Sequence, residues 1–230
     1  MISVVLAAYN GGKYIQEQVA SILPQLAEGD ELIVSDDGSS DNTLQVLDDF
    51  NDPRLKVVRN EGKHGIVRNF ENALKHVKGD FVFLSDQDDI WMPNKVQECL
   101  KVLENALLVV HDLKFLYADG TITTEGFFKS HGSGPGFWKN LYKNSFMGSC
   151  IAFRRSVLDY ALPFPDNLLW HDMWIGLVAE RKGNTVFVPD QLLLYRRHGD
   201  NASTTGDKSS FSLKKQIQYR WVMLVNALKR

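Results

Sequence analysis

Along the first hundred residues, two kinds of hydrophobic run take turns. Short, mainly apolar runs occur at 2–8, 31–35, 55–58 and 81–84. Between and after them, apolar residues recur every third or fourth position over 13–26, 41–50, 66–77 and 93–104. The first kind predicts strands buried on both faces, and the second predicts amphipathic helices. Tyr14, Ile15, Val19, Ile22 and Leu23 share one side of the first helix, and Val67, Phe70, Ala73, Leu74 and Val77 one side of the third. Asp41 stands where an N-cap belongs, and Pro93 suits a first helical turn. Strand and helix in regular alternation predict a mostly parallel α/β sheet with right-handed crossovers.

After residue 105 the pattern changes. Residues 107–117 and 121–124, around Ala118-Asp119-Gly120, read as a hairpin. The stretch 127–143 carries Phe127, Phe128, Phe137, Trp138 and Tyr142 without a period, and is expected to be a functional loop. A return to the sheet is predicted at 145–153, a helix at 171–181, a strand at 185–197 broken at Pro189, and a polar mobile stretch at 199–210. A last helix, 212–229, places Leu213, Ile217, Trp221, Leu224 and Leu228 on one stripe. The expected organisation is one domain over 1–210, with halves 1–105 and 106–210, followed by an amphipathic basic helix at 211–230.

Composition adds limits. A chain of 230 residues that is 44% hydrophobic can bury a sizeable core. The formal net charge of -2 gives no reason to expect a nucleic-acid partner. Six basic residues and no acid lie between Lys208 and Arg230, however, so the last helix suits either an anionic membrane or a packed position on the domain. The opening apolar run lacks a basic flank and is too short for a signal peptide, and no segment approaches the ~20 apolar residues of a membrane span. The expected location is cytoplasmic, with peripheral contact at the inner face of the plasma membrane left open. Cys99 and Cys150 have no metal or redox spacing and read as buried free thiols.

The candidate chemistry sits at strand ends. Ala8-Tyr9-Asn10, Asp36-Asp37-Gly38-Ser39 and Asp86-Gln87-Asp88-Asp89 all follow predicted strands. In a parallel sheet such loops converge on one crevice. Asp86 and Asp88 are two apart and share a face on an extended backbone. Paired carboxylate oxygens suit a hard divalent cation, which commonly shares them with substrate phosphates. An acidic turn that merely caps the next helix is the plainer account of one such pair, but three polar sets on one edge weaken it. His64 and Arg68 follow the third strand and are candidates for a phosphate contact. Asp172 stands at the start of a predicted helix, as an N-cap, a base, or both. Asp36–Asn42 lacks the alternating ligands and final Glu of a calcium loop.

The segments Ser3–Ile15, Val34–Thr43 and Leu84–Lys95 resemble the conserved blocks of glycosyltransferase family 2, the third being its D-x-D segment. Tyr195-Arg196-Arg197-His198-Gly199-Asp200-Asn201 resembles the Y-R-x-H-G-x-N segment of rhamnosyltransferase-like members, which build bacterial surface polysaccharides. The resemblance implies a GT-A fold, with a nucleotide-sugar-binding half joined to an acceptor-binding half. It implies that Ala8, Tyr9, Asn10 and Asp37 lie at the nucleotide, with Tyr9 and Asp37 holding the base, and that Asp86 and Asp88 bind ribose and a Mg²⁺ or Mn²⁺ ion. Asp88 would be the more direct ligand, His198 a further ligand or a diphosphate contact, and Arg196 or Arg197 a counter-charge. Asp36 would serve an Asx turn. Leu169-Trp170-His171-Asp172 matches the family's acidic pair, with His171 in place of the commoner Glu and Asp172 as the base. The implied reaction is inverting transfer of one sugar from a UDP- or dTDP-sugar to a glycan acceptor, lipid-linked by expectation. Gln216–Trp221 fails the Q-x-x-R-W spacing of processive synthases. Two alternatives are a haloacid-dehalogenase-type phosphotransferase, which wants Thr or Val where Ile90 stands, and a non-catalytic carbohydrate-binding module, for which the loop aromatics speak.

Overall fold

The computed structural model describes residues 1–199 and 212–230, apart from the side chain of Leu213. The polar stretch expected at 199–210 falls, past its first residue, outside the described residues.

The first half follows the hydrophobic pattern. Strands β1 (Ile2–Ala8), β2 (Glu31–Asp36), β3 (Leu55–Arg59) and β4 (Phe81–Ser85) alternate with helices α1 (Ile15–Ile22), α2 (Thr43–Asp48) and α3 (Ile66–Leu74). Every residue of β1 and β2 is buried, as expected for central strands, whereas β3 lies at the sheet edge and is largely open. A two-residue strand, β5 (Ile90–Trp91), then precedes α4 (Lys95–Leu103). Pro93 falls just outside this helix, because Asn94 is its N-cap. Asn42 likewise holds the N-cap position of α2; Asp41 accepts instead from the backbone N–H of Thr43 at 3.0 Å and of Gly12 at 3.0 Å.

The second half holds β6 (Leu108–Leu116), α5 (Phe127–His131), α6 (Phe137–Tyr142), β7 (Ile151–Arg154), α7 (Leu158–Ala161), α8 (His171–Lys182), β8 (Thr185–Arg196) and α9 (Leu213–Lys229). One sheet joins both halves in the order β3-β2-β1-β4-β7-β6-β8-β5. β7 runs antiparallel to β4 and β6, and β5 antiparallel to β8; the other pairings are parallel. The kink expected at Pro189 is a register shift between β6 and β8 after His111.

Three expectations are corrected. The predicted hairpin is reduced to the single bridge Leu116↔Ile122, flanked by hydrogen bonds from Tyr117 N to Thr121 O at 2.9 Å and from Thr123 N to Phe115 O at 3.0 Å, and forms no second strand. The aromatic stretch 127–143 contains two short helices, each starting after a glycine, Gly126 or Gly136. The strand expected over 145–153 forms only from Ile151, since Gly148–Cys150 makes a 3-10 turn. Cys99 and Cys150 are buried and free. No described helix is long and apolar enough to cross a membrane.

Candidate active site

Because β2, β1 and β4 are neighbours, with Ala8 level with Asp36 and Leu6 with Ser85, their three loops open on one crevice. A cavity of about 730 Å³ lies there, lined by Ala8, Tyr9 and Asp37 on one side and Asp86, Gln87 and Asp88 on the other. Gln87 clamps the two walls: its Oε1 accepts from Tyr9 N at 2.8 Å and its Nε2 donates to Tyr9 O at 3.1 Å. A Cβ on Gly11 would come within 2.3 Å of Gln87 Oε1, so this clamp requires glycine there. Asn10 supports the wall instead of lining the cavity. It takes a left-handed φ of 47°, and its Oδ1 accepts from Ser40 N at 2.8 Å.

Asp37 and Asp36 divide their work as their surroundings dictate. Asp36 Oδ2 accepts from Gly38 N and Ser39 N, both at 3.1 Å, which is the expected Asx turn. Asp37 faces the cavity. Its Oδ2 accepts from Gly65 N at 2.7 Å, while its Oδ1 lies 2.6 Å from Asn60 Nδ2 and 3.0 Å from His64 Nδ1. Gly65 sits at a φ of 109°, which a side chain would strain. The loop after β3 is thus wrapped around one carboxylate. His64 lines this end of the cavity against Asp37.

The three acids after β4 meet different surroundings. Burial, then the charges of Asp88 and Asp172, push Asp86 up to about 7. Asp89 is 1% exposed and raised well above the usual carboxylate range by burial; its Oδ1 accepts from Arg196 N at 3.1 Å. Asp88 Oδ2 lies 2.8 Å from His198 Nε2, and its backbone carbonyl accepts from Arg196 Nε at 2.9 Å. His198 also stacks on Tyr14 at 4.7 Å, and Arg196 pairs with Glu17. Beneath the acids, Lys95 is fully buried: it donates to Ser149 O at 2.6 Å, lies 3.9 Å over the Trp91 ring, and is lowered to about 8 by burial.

Asp172 lies in the first turn of α8, two residues after the N-cap Trp170. It comes near enough to Asp86 for their charges to repel. Burial raises its carboxyl to about 6, against hydrogen bonds from the backbone N–H groups of Met173 and Gly148. His171 is buried, stacks on Phe70 at 4.0 Å, and is lowered to about 3 by burial. Its neutral ring supports α8 from below.

Arg68 corrects the sequence expectation. Its guanidinium pairs with Glu71 and donates to Phe164 O at 3.2 Å and Pro165 O at 2.8 Å, so it braces a loop of the second half and does not line the cavity. Several residues of the site went unread in the sequence. In sequence Gln87 reads only as the spacer of D-x-D. Asn69 is 2% exposed and joins β1 to β2 by donating to Ala8 O at 3.1 Å and Ser35 O at 2.8 Å. A polar residue on the apolar side of α3, beside Phe70, was the available signal. Asn60 gave none.

Among the described residues no three His, Cys, Asp or Glu side chains converge as a ready metal cage. Asp88, on the cavity wall, and His198 behind it nevertheless aim an oxygen and a nitrogen at each other. Both are good donors to a divalent cation that draws its remaining ligands from phosphate.

Comparison with known proteins agrees with this geometry. Residues 3–161 match the model of Glycosyl transferase family 2. The chain is 29% identical over 177 residues to the UDP-Glc:alpha-D-GlcNAc-diphosphoundecaprenol beta-1,3-glucosyltransferase WfgD of Escherichia coli, covering 74% of this chain and 68% of that one. It is 27% identical over 228 residues to the dTDP-rhamnosyl transferase RfbG of Shigella flexneri, covering 91% and 76%. Among solved structures, Staphylococcus aureus TarS 1–349 with UDP-GlcNAc superposes with a TM-score of 0.76 at 22% identity, covering 98% of this chain and 66% of TarS 1–349. Mycobacterium tuberculosis glucosyl-3-phosphoglycerate synthase with Mn²⁺, UDP and phosphoglyceric acid gives 0.63 at 21%, covering 100% and 78%. The chain spans 60% of another TarS chain. The fold is that of the GT-A enzymes, and with its family match running from β1 into α7, the chain belongs to glycosyltransferase family 2.

Proposed function

We propose that the protein transfers a single sugar, with inversion, from a UDP- or dTDP-sugar to a glycan acceptor carried on a lipid, in building a bacterial surface polysaccharide. The observation that carries this reading is the approach of Asp172, from the second half of the chain, to Asp86 of the D-x-D pair on the cavity wall. Lipid-linked acceptors and dTDP-rhamnose enter through relatives whose names specify them.

Asp37 receives the ring N–H of a pyrimidine base, already oriented by Asn60, His64 and Gly65. Tyr9, 57% exposed beside it, offers a face for the base. Asp86 accepts from the ribose. Asp88 and His198, with Asp86 adjacent, would hold a Mg²⁺ or Mn²⁺ ion. When bound, such an ion stabilises negative charge on the departing diphosphate. Asp172 takes the proton of the acceptor hydroxyl as its oxygen forms a bond to the anomeric carbon. The anomeric carbon–phosphate oxygen bond breaks, and its electron pair leaves on the nucleoside diphosphate. A carboxyl near 6 is ionised at neutral pH yet basic enough to share a proton.

The phosphotransferase alternative fails on placement, since its D-x-D belongs on the first strand and here it follows β4. A carbohydrate-binding module would leave Asp86, Asp88 and Asp172 without work. Thermal stabilisation by a panel of nucleotide sugars, with and without Mn²⁺, tests the proposal. A ligand at 100 times its Kd adds about 2.7 kcal/mol. A metal-dependent shift with UDP- or dTDP-sugars, lost in Asp88→Ala, is expected. A shift with free glycan but with no nucleotide would overturn it.

A further inference from the structure

Helix α9 does not pack by the stripe its sequence suggests. Among its described side chains Met223 and Ala227 are buried, at 1% and 0% exposure, and Arg220 on the same side donates to Leu141 O at 3.1 Å and Tyr142 O at 2.8 Å. The apolar stripe lies roughly a third of a turn round the helix. Three of its residues face solvent, Ile217 at 68%, Trp221 at 64% and Leu228 at 54% exposed, while Leu224 is partly buried against the core.

Arg220 ties α9 to the end of α6, and α6 carries the same chemistry. Trp138 and Tyr142, one turn apart, are 68% and 78% exposed. Such a concentration of large exposed apolar groups marks an interaction surface. The charges around it choose the partner. Lys139 on α6, Lys143 just after it, and Lys214, Lys215 and Lys229 on α9 are all exposed. No Asp or Glu occurs between Gly126 and Leu158, or between Lys208 and Arg230. Lysine is depleted from protein–protein interfaces. Tryptophan, tyrosine and lysine together, with no carboxylate among them, are the composition of a surface that lies in an anionic lipid headgroup layer.

We propose that the exposed faces of α6 and α9 together dock the protein on an anionic lipid bilayer, with the aromatic rings entering the headgroup region and the lysines meeting lipid phosphates. This goes beyond the transfer reading and does not rest on it. A protein that bound vesicles without transferring sugar would keep this inference and lose the other.

The test is co-sedimentation of the protein with vesicles of phosphatidylglycerol and phosphatidylethanolamine, against vesicles of phosphatidylcholine alone. Binding to the anionic vesicles is expected, weakening as salt is added. Each lysine at such a surface strengthens binding about fivefold. The triple variant Lys214→Gln, Lys215→Gln, Lys229→Gln should therefore bind about a hundredfold more weakly. The pair Trp138→Ser, Trp221→Ser should lose the binding that survives high salt. Because these side chains are exposed, unchanged urea midpoints in both variants would show that the fold is intact. Equal binding to both vesicle types, or none to either at low salt, would overturn the proposal. So would a dimer on gel filtration that Trp221→Ser converts to monomer, since a second copy would then cover the patch.

Discussion

At the level of single residues, the site depends on a few atoms with no room to move. Gly11 and Gln87 are the plainest case. A methyl group on Gly11 would meet Gln87 Oε1 at 2.3 Å and expel the amide that holds Tyr9. Gly11→Ala should weaken nucleotide binding, and so should Gln87→Ala, but the double variant should bind no more weakly than either alone. Residues acting through one contact are not additive, and isothermal titration with UDP or dTDP reads the cycle. Full additivity would mean that the clamp does not carry the effect. Asp172 makes a sharper demand. Asp172→Asn should lower turnover by about a hundred- to ten-thousand-fold while leaving the donor-induced thermal shift intact. In the wild type, burial raises this carboxyl to about 6. The base works ionised, so kcat/KM should rise with pH through about 6 and level off above it. A rate falling over that range would assign Asp172 another role.

At the level of elements, hydrophobic period found what packs by apolar contact and missed what packs otherwise. β1, β2 and β4 were readable because a strand buried on both faces is mainly apolar, and the few polar residues it holds, such as Ser3, Glu31 and Ser35, are hydrogen-bonded inside. The loops that follow them were readable because acids at such ends stand out. α9 was readable as a helix, but its buried face was not. That face is Gln216, Arg220, Met223 and Ala227, in which only Met223 gives a strong apolar signal. Arg220 belongs there because its guanidinium satisfies carbonyls at the end of α6, which no hydrophobicity count registers. The two faces should separate by stability. Met223→Ala should cost about 2–5 kcal/mol in urea unfolding, whereas Trp221→Ser should change it by less than about 0.5 kcal/mol. A helix docked by the sequence stripe would give the reverse order. α8 poses the same problem. Gly176 lies against Phe146, whose ring a Cβ would approach to 2.5 Å, so Gly176→Ala should cost about 1–3 kcal/mol.

Across the whole molecule, the site is made where distant parts of the chain close on one another, and this is why sequence gave its residues more readily than their roles. Arg68 and His64 stand four positions apart and looked alike as phosphate contacts. Tertiary contacts separate them, one to the carbonyls of Phe164 and Pro165, the other to Asp37. The most distant closure is that of β8 onto the start of the chain. Arg196 reaches the Asp88 carbonyl, the Asp89 carboxylate through its own N–H, and Glu17 on α1. Two residues on, His198 is held between Tyr14 and Asp88. Arg196 therefore acts as a brace that brings an imidazole from the end of β8 to an acid after β4. Partners that orient a metal's ligands commonly account for about 10- to 100-fold in its affinity. If Asp88 and His198 hold the ion, Arg196→Ala should raise the Mn²⁺ concentration needed for nucleotide-induced stabilisation by about that factor. The urea midpoint of the metal-free protein should change little, because the pairing of Arg196 with Glu17 is largely exposed at the carboxylate. His198→Ala should show the same displacement, and combining the two should add little, since the brace has nothing left to position. A wild-type Mn²⁺ response in Arg196→Ala would place the ion elsewhere in the crevice, with Asp86 and the diphosphate as its remaining partners.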